Sequence, residues 1–445
     1  MSSMYGRVYT GWLRARAKMK RERQYAILRM LKKEQWFALD KIAKLQVSRL
    51  HALLDHARQH SPYYRDRLPA SLDIRRDIAD IHDLARLPLL TRSDLQQNYR
   101  RILCPGDKGV YQDASGGSTG NPVIFYHDDQ YKAFAAALEH LFLSWIHISR
   151  GDRTGVFWGA DRDFKEWSLK ERLFFKLERF RLLNSFNVTE TALDEYLQEL
   201  QKFQPHYIFG YASSLHLAAK YINRTGKYTI RPRAVRSSAE MLYDSMRRDI
   251  EKAFGTDPYN YYGSREINNL GAECPEHQGL HVMASGRIAE VVDKEGNRLP
   301  DGQMGYLAVT DLTNFCFPFI RYLNGDMAIM KPTPCTCDRG YPLLEKITGR
   351  SSDILVVNGK FIHGEYFTHL FYGQPDVRQF QVVQEKPDYL VIKIVAVTKK
   401  FDTSTLIETI KHKVGENITI KAEFVDSIPL LNSGKYRFTI NKTQQ

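Results

Sequence analysis

The sequence predicts an α/β protein in two parts, a large N-terminal α/β region of several subdomains and a small C-terminal α+β domain. Three observations predict it. The 445 residues exceed what one hydrophobic core usually serves, so at least two domains are expected. From Thr154 to about Gly263, short β-rich runs alternate with helical ones, the pattern of βαβ units on a largely parallel sheet. After Gly349-Arg350 the pattern changes to short alternating strands with one or two helices, which sets a boundary at Ser351-Ser352. The expected division is a basic helical segment over 1–40, a core over 41–350 and a small domain over 351–445.

The elements follow in order. The first forty residues read as one or two helices, with Trp12, Leu13, Tyr25, Leu28, Leu31 and Trp36 interleaved among basic residues. Lys41 to His60 is helical, since Leu45, Leu50, Leu53, Leu54 and Ala57 share one face and Ser61-Pro62 ends it. Val156-Phe157-Trp158, Tyr207-Ile208-Phe209 and Ala234-Val235-Arg236 are expected strands. Leu193–Phe203, Ser214–Asn223 and Met241–Phe254 are the helices between or after them. From Gly286 to Val309 the pattern becomes antiparallel, with turns at Asp293–Asn297 and Pro300-Asp301-Gly302. In the small domain, strands are expected over Ile354–Val357, Gln379–Gln384, Leu390–Val397 and Ala422–Val425, with helices over Tyr366–Tyr372 and Thr405–Val414.

Composition narrows the function. Hydrophobic content of 43% with 26% charged residues is ordinary for a globular chain. The net charge of +13 is concentrated at the start: thirteen Lys/Arg against Glu22, Glu34 and Asp40 in the first fifty residues give +10 there and leave +3 for the rest. A nearly neutral body argues against nucleic acid as a partner. The basic N-terminus has two readings, a helix packed on the body with solvated lysines, or a peripheral contact with an anionic membrane or a biosynthetic complex. The apolar stretch from Ala133 to Ile148 is broken by Glu139, His140 and His147 and is too short to span a bilayer. No signal peptide is apparent, and five cysteines fit a reducing compartment, so a cytoplasmic protein is expected.

Five short motifs carry chemistry. Ser115-Gly116-Gly117-Ser118-Thr119-Gly120 is a glycine and hydroxyl loop of the kind whose N–H groups converge on phosphate oxygens, although no Gly-Lys-Ser/Thr follows as in a Walker loop. Tyr262-Gly263-Ser264-Arg265-Glu266, Gly325-Asp326, Gly349-Arg350-Ser351-Ser352-Asp353 and Ser433-Gly434-Lys435 follow in that order. A carboxylate can hold Mg²⁺, an aspartate can take ribose hydroxyls, and a lysine can offset the charge on a reacting phosphate. Together they describe a site for ATP chemistry.

These motifs resemble the adenylate-forming superfamily, most nearly the phenylacetate-CoA ligase and coenzyme F390 synthetase group with its CapK-like capsular polysaccharide branch. The likeness runs from about Leu45 to the end and includes Ser61-Pro62-Tyr63-Tyr64-Arg65 and Leu87-Pro88-Leu89-Leu90-Thr91. The resemblance implies a large adenylation domain with a mobile C-terminal lid. It implies that Ser115, Gly116, Gly117, Ser118, Thr119 and Gly120 hold the ATP phosphates, with Thr119 and Glu266 at Mg²⁺. Ser238, Ala239 and Glu240 would line the adenine, Tyr262 would stack on it, and Tyr261 and Ser264 would flank it. Gly263 would border the acyl pocket. Trp158-Gly159-Ala160-Asp161 and Tyr211-Ala212-Ser213-Ser214 are expected to flank that pocket too, because they follow strand ends, where open α/β sheets bind ligands. Asp326 would bind ribose with help from Arg350, Lys435 would be the catalytic lysine, and Ser352 the hinge. Two departures stand out: Asn121-Pro122-Val123 lacks the lysine many members carry there, and Ser352 replaces the usual Asp or Lys.

A second constellation is Cys335-Thr336-Cys337 with Cys274 and either His281 or His277. Three cysteines and a histidine make a closed tetrahedral set for a structural Zn²⁺. The group resembled here often shows such a set, with Gly279-Leu280-His281 matching its histidine; His277 competes through its Cys-x-x-His spacing. The expected activity is an ATP- and Mg²⁺-dependent ligase that joins a small carboxylic acid to AMP and passes the acyl group to an acceptor. A CoA-like thiol is the default acceptor. A sugar amine or uronic acid in surface polysaccharide synthesis is the alternative, and a non-catalytic scaffold at a membrane complex is the reading from another class.

Overall fold

The computed structural model describes residues 23–443 except 105–109, 116–122, 159–178, 185–189, 351–354, 358–359, 363, 372–373, 375, 398–400, 416 and 430–435. Gly116 to Gly120, Ser352 and Lys435 therefore lie outside the described residues, as do residues 1–22. The basic start is packed on the body from Arg23 onward. Leu28 and Leu31 of the helix Arg23–Glu34 are buried with Phe134, Leu138 and Leu141 of the helix Asp129–Trp145. Arg49 pairs with Glu34 at 2.7 Å, and the Trp145 indole N–H donates to Gln35 Oε1 at 2.8 Å. The next helix, Leu39–His60, starts two residues before the expected Lys41 and buries Ile42, Leu50, Leu53, Leu54 and Ala57 on one face. Among the described residues no helix is long and apolar enough to cross a membrane.

One large sheet organises the chain. Its parallel half holds β3 (Thr154–Trp158), β4 (Phe180–Asn184), β5 (Tyr207–Tyr211), β6 (Ala234–Ser238) and β7 (Tyr259–Tyr262), in the spatial order β4-β3-β5-β6-β7. These short runs are apolar on both faces because both are covered. One face meets the helix Asp129–Trp145 through Tyr207, Ala234 and Tyr261. The other, with Phe157, Ile208 and Val235, meets the helices Glu190–Phe203, Ala212–Thr225 and Asp244–Phe254. Each fully buried Leu, Ile or Phe there contributes roughly 1.5–3 kcal/mol. Two of the helices stop at Gly226 and Gly255, which take the left-handed conformation that closes a helix C-terminus at little steric cost.

Beyond β7 the same sheet turns antiparallel through β8 (Gly271–Glu273) and β9 (Leu280–Val282) to β13 (Leu343–Arg350), β12 (Tyr322–Met330), β11 (Met304–Asp311) and β10 (Arg287–Val292). The expected turn after β10 is present: Asn297 N–H donates to Asp293 Oδ1 at 2.8 Å. A pair not expected from the sequence, β1 (Tyr111–Ala114) with β2 (Ile124–His127), flanks the Gly/Ser loop. Each strand has only four residues; β1 is largely exposed, and the alternation of β2, which buries Phe125 and His127, is too short to stand out in the sequence.

The C-terminal part has its own core. β14 (Leu355–Val357) and β15 (Lys360–Ile362) form a hairpin. A four-stranded sheet follows in the order β18-β17-β16-β19, built from β16 (Val377–Lys386), β17 (Tyr389–Ala396), β18 (Thr419–Phe424) and β19 (Thr439–Asn441). Val382, Leu390, Ile392 and Ile394 pack with Phe367 of the helix Gly364–Phe371 and with Leu406 and Ile410 of the helix Ser404–Val414. Phe438 also meets Tyr243 of the large domain edge-on, with ring centroids 5.5 Å apart.

Candidate active site and metal centre

Strand alternation decides what β7 offers. Successive side chains point to opposite faces, so Tyr262 turns toward β12 while Tyr261 packs on Phe142 at 4.7 Å, away from it. The Tyr262 hydroxyl donates to Asp326 Oδ2, and Asn324 Nδ2 donates to the same hydroxyl at 2.7 Å. Asp326 and Arg350 are cross-strand partners of β12 and β13, with Arg350 Nε 3.8 Å from Asp326 Oδ1. Gly325 and Gly349 both have positive φ, the freedom that bends the two strands just before these side chains. Burial and the neighbouring Asp326 carboxylate push the Tyr262 hydroxyl well above its ordinary pKa, so it stays a donor. Asn324, two residues before Asp326, was not singled out from the sequence; the Asn-Gly-Asp spacing held the signal.

Glu266 sits in the loop after β7 and is buried, with Tyr322 Oη 3.5 Å from its Oε1. That loop is gripped by two rings the sequence did not single out. His127 Nε2 donates to the Glu266 carbonyl at 3.0 Å, and the Tyr131 hydroxyl accepts from Asn268 N–H at 2.8 Å. The two rings stack at 3.9 Å. Burial holds the His127 imidazole below its ordinary pKa and so neutral. Because His127 ends β2, Glu266 is tied to the strand that leaves the Gly/Ser loop. Gly263 has no room for a side chain, since a Cβ would lie 2.8 Å from Asn269 N. Ser264 closes this turn, its N–H donating to Ile267 O at 3.0 Å.

Ser115 seals the neck of the Gly/Ser loop: its hydroxyl accepts from Val123 N–H at 2.9 Å and from Arg92 at 3.3 Å. Ser238 ends β6, and Ala239 takes a left-handed φ of 68°, a strained state for alanine. Glu240 then reaches two elements. Its Oε2 accepts from Ser213 N–H at 2.8 Å, at the start of the helix Ala212–Thr225, and its Oε1 accepts from Tyr436 N–H at 3.1 Å. Tyr436 follows Lys435 in the chain.

The second cluster is compact. Ligand atoms of Cys274, His281, Cys335 and Cys337 all lie within 4.8 Å of one another. Cys274 Sγ is 3.6 Å from Cys335 Sγ, and Cys337 Sγ is 3.3 Å from His281 Nε2. Tetrahedral zinc with ~2.3 Å Zn–S bonds sets sulfur atoms about 3.8 Å apart, so the donor set fits that ion. His281 Nδ1 donates to the Tyr341 carbonyl at 3.3 Å, which leaves the Nε2 lone pair facing the thiols. Burial lowers the His281 pKa to about 4, keeping it neutral. His277 is engaged elsewhere, its Nδ1 3.0 Å from Glu273 Oε2 and its ring stacked on Tyr259. Cys104 and Cys316 are buried thiols outside the cluster.

This arrangement, a parallel sheet carrying the Ser238–Glu240 and Tyr261–Glu266 segments with a small domain docked on it, is the adenylate-forming fold. A 2-hydroxyisobutyryl-CoA ligase solved in its postadenylation state matches with a TM-score of 0.72 at 19% identity, over 93% of this chain and 92% of that one. Residues 354–442 match the CapK C-terminal domain family. Protein CapK of Staphylococcus aureus is 25% identical over 89% of both chains. Phenylacetate-coenzyme A ligase of Thermus thermophilus is 26% identical over 77% of this chain and 78% of its own. The chain has the adenylate-forming fold and is similar in sequence to the group that joins the phenylacetate-CoA ligases to CapK-like proteins.

Proposed function

We propose that this AMP-forming acid ligase activates a small carboxylic acid with ATP and then passes the acyl group to a CoA-like thiol. The observation that carries the reading is the hydrogen bond from Tyr436 N–H to Glu240, which brings the neighbour of Lys435 against the segment expected to line adenine. In the first half-reaction the acid's carboxylate oxygen attacks the ATP α-phosphorus and pyrophosphate leaves. Asp326, already linked to Tyr262 and Arg350, accepts hydrogen bonds from the ribose hydroxyls, while the Tyr262 ring supports the base. Glu266, with Thr119, would hold Mg²⁺, which offsets charge between the two approaching anions when bound. His127 and Tyr131 keep the Glu266 backbone in place. Withdrawal of the small domain, about the hinge expected at Ser352, then admits the acceptor. Zinc in the Cys274–His281–Cys335–Cys337 cluster would be structural, because four protein ligands leave no open position.

The resemblance to the CapK-like branch keeps a second acceptor in view, a sugar amine or a uronic acid. Trapping separates them. With acid, ATP and Mg²⁺ supplied, AMP release is expected to rise at least tenfold on adding CoA, with a thioester product by mass spectrometry. AMP release indifferent to CoA, with an amide or ester formed on an amino sugar or uronic acid, would sink the thiol reading and favour the sugar.

A further inference from the structure

The helices Arg23–Glu34 and Leu39–His60 turn their apolar sides to the body, where Leu28, Leu31, Ile42 and Leu50 are buried. Neither has an apolar face left to lie flat in a bilayer surface, as a free amphipathic helix does. Their outer sides are basic. Arg23, Arg29, Lys32, Lys33, Lys41 and Lys44 are exposed, while Glu34 is buried against Arg49. Asp40 is the one exposed acid between Arg23 and Leu50, and it lies 3.9 Å from Lys44 with both side chains largely in water.

The turn between the two helices supplies the apolar surface that their outer sides lack. Trp36 is 52% exposed and Leu39 61%. The turn is fastened to the body, so both side chains are held outward. Gly340 N–H donates to Gln35 O at 2.9 Å, Phe37 N–H donates to Glu34 O at 2.9 Å, and one side of the Trp36 ring faces the Arg339 guanidinium at 4.9 Å. Lys32 and Lys33 stand one helical turn before Trp36, and Lys41 and Lys44 fall in the first two turns after Leu39. Single exposed apolar residues are ordinary, whereas a large apolar pair framed by charge marks a contact.

The chemistry of the tip selects its partner. An indole is at home where apolar and wet regions meet, and lysines reach headgroup oxygens on long apolar stems. A nucleic acid would answer the lysines but offers the aliphatic Leu39 little, and the rest of the chain is nearly neutral. An anionic lipid surface answers both halves at once. We propose that this turn is a membrane-docking tip. Trp36 and Leu39 enter the headgroup region of an anionic bilayer, while Lys32, Lys33, Lys41 and Lys44 pair with lipid phosphates around them. The inference stands apart from the ligase reading and places that chemistry beside a membrane surface.

The test is co-sedimentation of the full chain with vesicles of phosphatidylcholine alone and of phosphatidylcholine mixed with phosphatidylglycerol. Binding to the mixed vesicles is expected to be tighter by about tenfold or more. Trp36→Ser combined with Leu39→Ser should weaken it by about tenfold or more. Lys32→Gln, Lys33→Gln, Lys41→Gln and Lys44→Gln together should weaken it by about 100-fold or more, since each lysine near an anionic surface counts for about fivefold. These six side chains are exposed, so both variants should keep the wild-type melting temperature. Should either fail to fold, brominated lipid provides a second readout: it is expected to quench the wild-type tryptophan fluorescence more than that of Trp36→Phe. Equal binding to both kinds of vesicle, or binding indifferent to the variants, overturns the inference. Binding that needs the lysines but not Trp36 and Leu39 also overturns it, as does lysine-dependent retention on heparin without vesicle binding, which would assign the patch to a soluble polyanion.

Discussion

Lys435→Ala is expected to slow acyl-adenylate formation by roughly 10²–10³-fold, the size of effect seen when one preorganised charge-stabilising group is removed from a reacting centre. The physical reason is the first half-reaction itself. A carboxylate must approach a polyanion, and no carboxylate-bearing residue of the site can offset that charge. The expectation depends on where the small domain sits. Tyr436 N–H donates to Glu240, and Phe438 packs edge-on against Tyr243, so the chain on the C-terminal side of Lys435 is anchored to the large domain. ATP binding should change only a few-fold, because Asp326, Tyr262 and Arg350 are untouched. Thioester formation from supplied acyl-adenylate and CoA should also survive, since the lysine serves the other half-reaction. Quenched-flow measurement of pyrophosphate release checks the first step and a thiol assay the second. A variant within about threefold of wild type in adenylation contradicts the role given to Lys435.

Loss of the metal is expected to be the largest blow to stability. Protein purified without added metal or a histidine tag should carry close to one equivalent of zinc, and Cys274→Ser should remove it. The cluster joins the β8–β9 hairpin, which follows the Glu266 loop, to the connection before β13, which ends at Arg350. Trp145 packs edge-on against His281 at 5.7 Å and is itself bonded to Gln35, so the N-terminal helix leans on the same point. Without the ion, the buried Cys274 and Cys335, the partly buried Cys337 and a neutral imidazole face one another; burial pushes the Cys274 thiol up and leaves it protonated. A fall in melting temperature of roughly 5–15 °C is expected, by differential scanning fluorimetry. Less than about half an equivalent of zinc in the wild type would end this account of the cluster.

The parts of the fold legible in the sequence were those whose burial has a period. The helix Leu39–His60 shows one apolar face, and β5 and β6 are short runs covered on both sides, so their positions could be read to within two residues. β1 and β2 could not, because β1 is largely exposed and β2, though Phe125 and His127 are buried, is only four residues long, too short for its alternation to stand out. For the site, residues with distinctive chemistry at fixed spacing were legible: Tyr262, Asp326 and Arg350 come together, as do Cys274, His281, Cys335 and Cys337. The choice of His281 over His277 needed three dimensions, since Glu273 and Tyr259 claim His277. Residues that act through the backbone were not legible. His127 and Tyr131 hold the Glu266 loop by main-chain contacts across more than a hundred residues of sequence, and nothing local marks them. Tyr261, expected beside Tyr262 at the nucleotide, turns to the opposite face because adjacent strand residues alternate.

The central claim is that this chain makes acyl-AMP. The most direct measurement is incorporation of labelled pyrophosphate into ATP by the wild-type protein, with Mg²⁺, across aryl, fatty, amino and sugar acids. Incorporation that requires both the acid and Mg²⁺ is the predicted result. ATP bound normally, with no acid in the panel raising incorporation above the acid-free control, would contradict the claim and leave a scaffold of this fold.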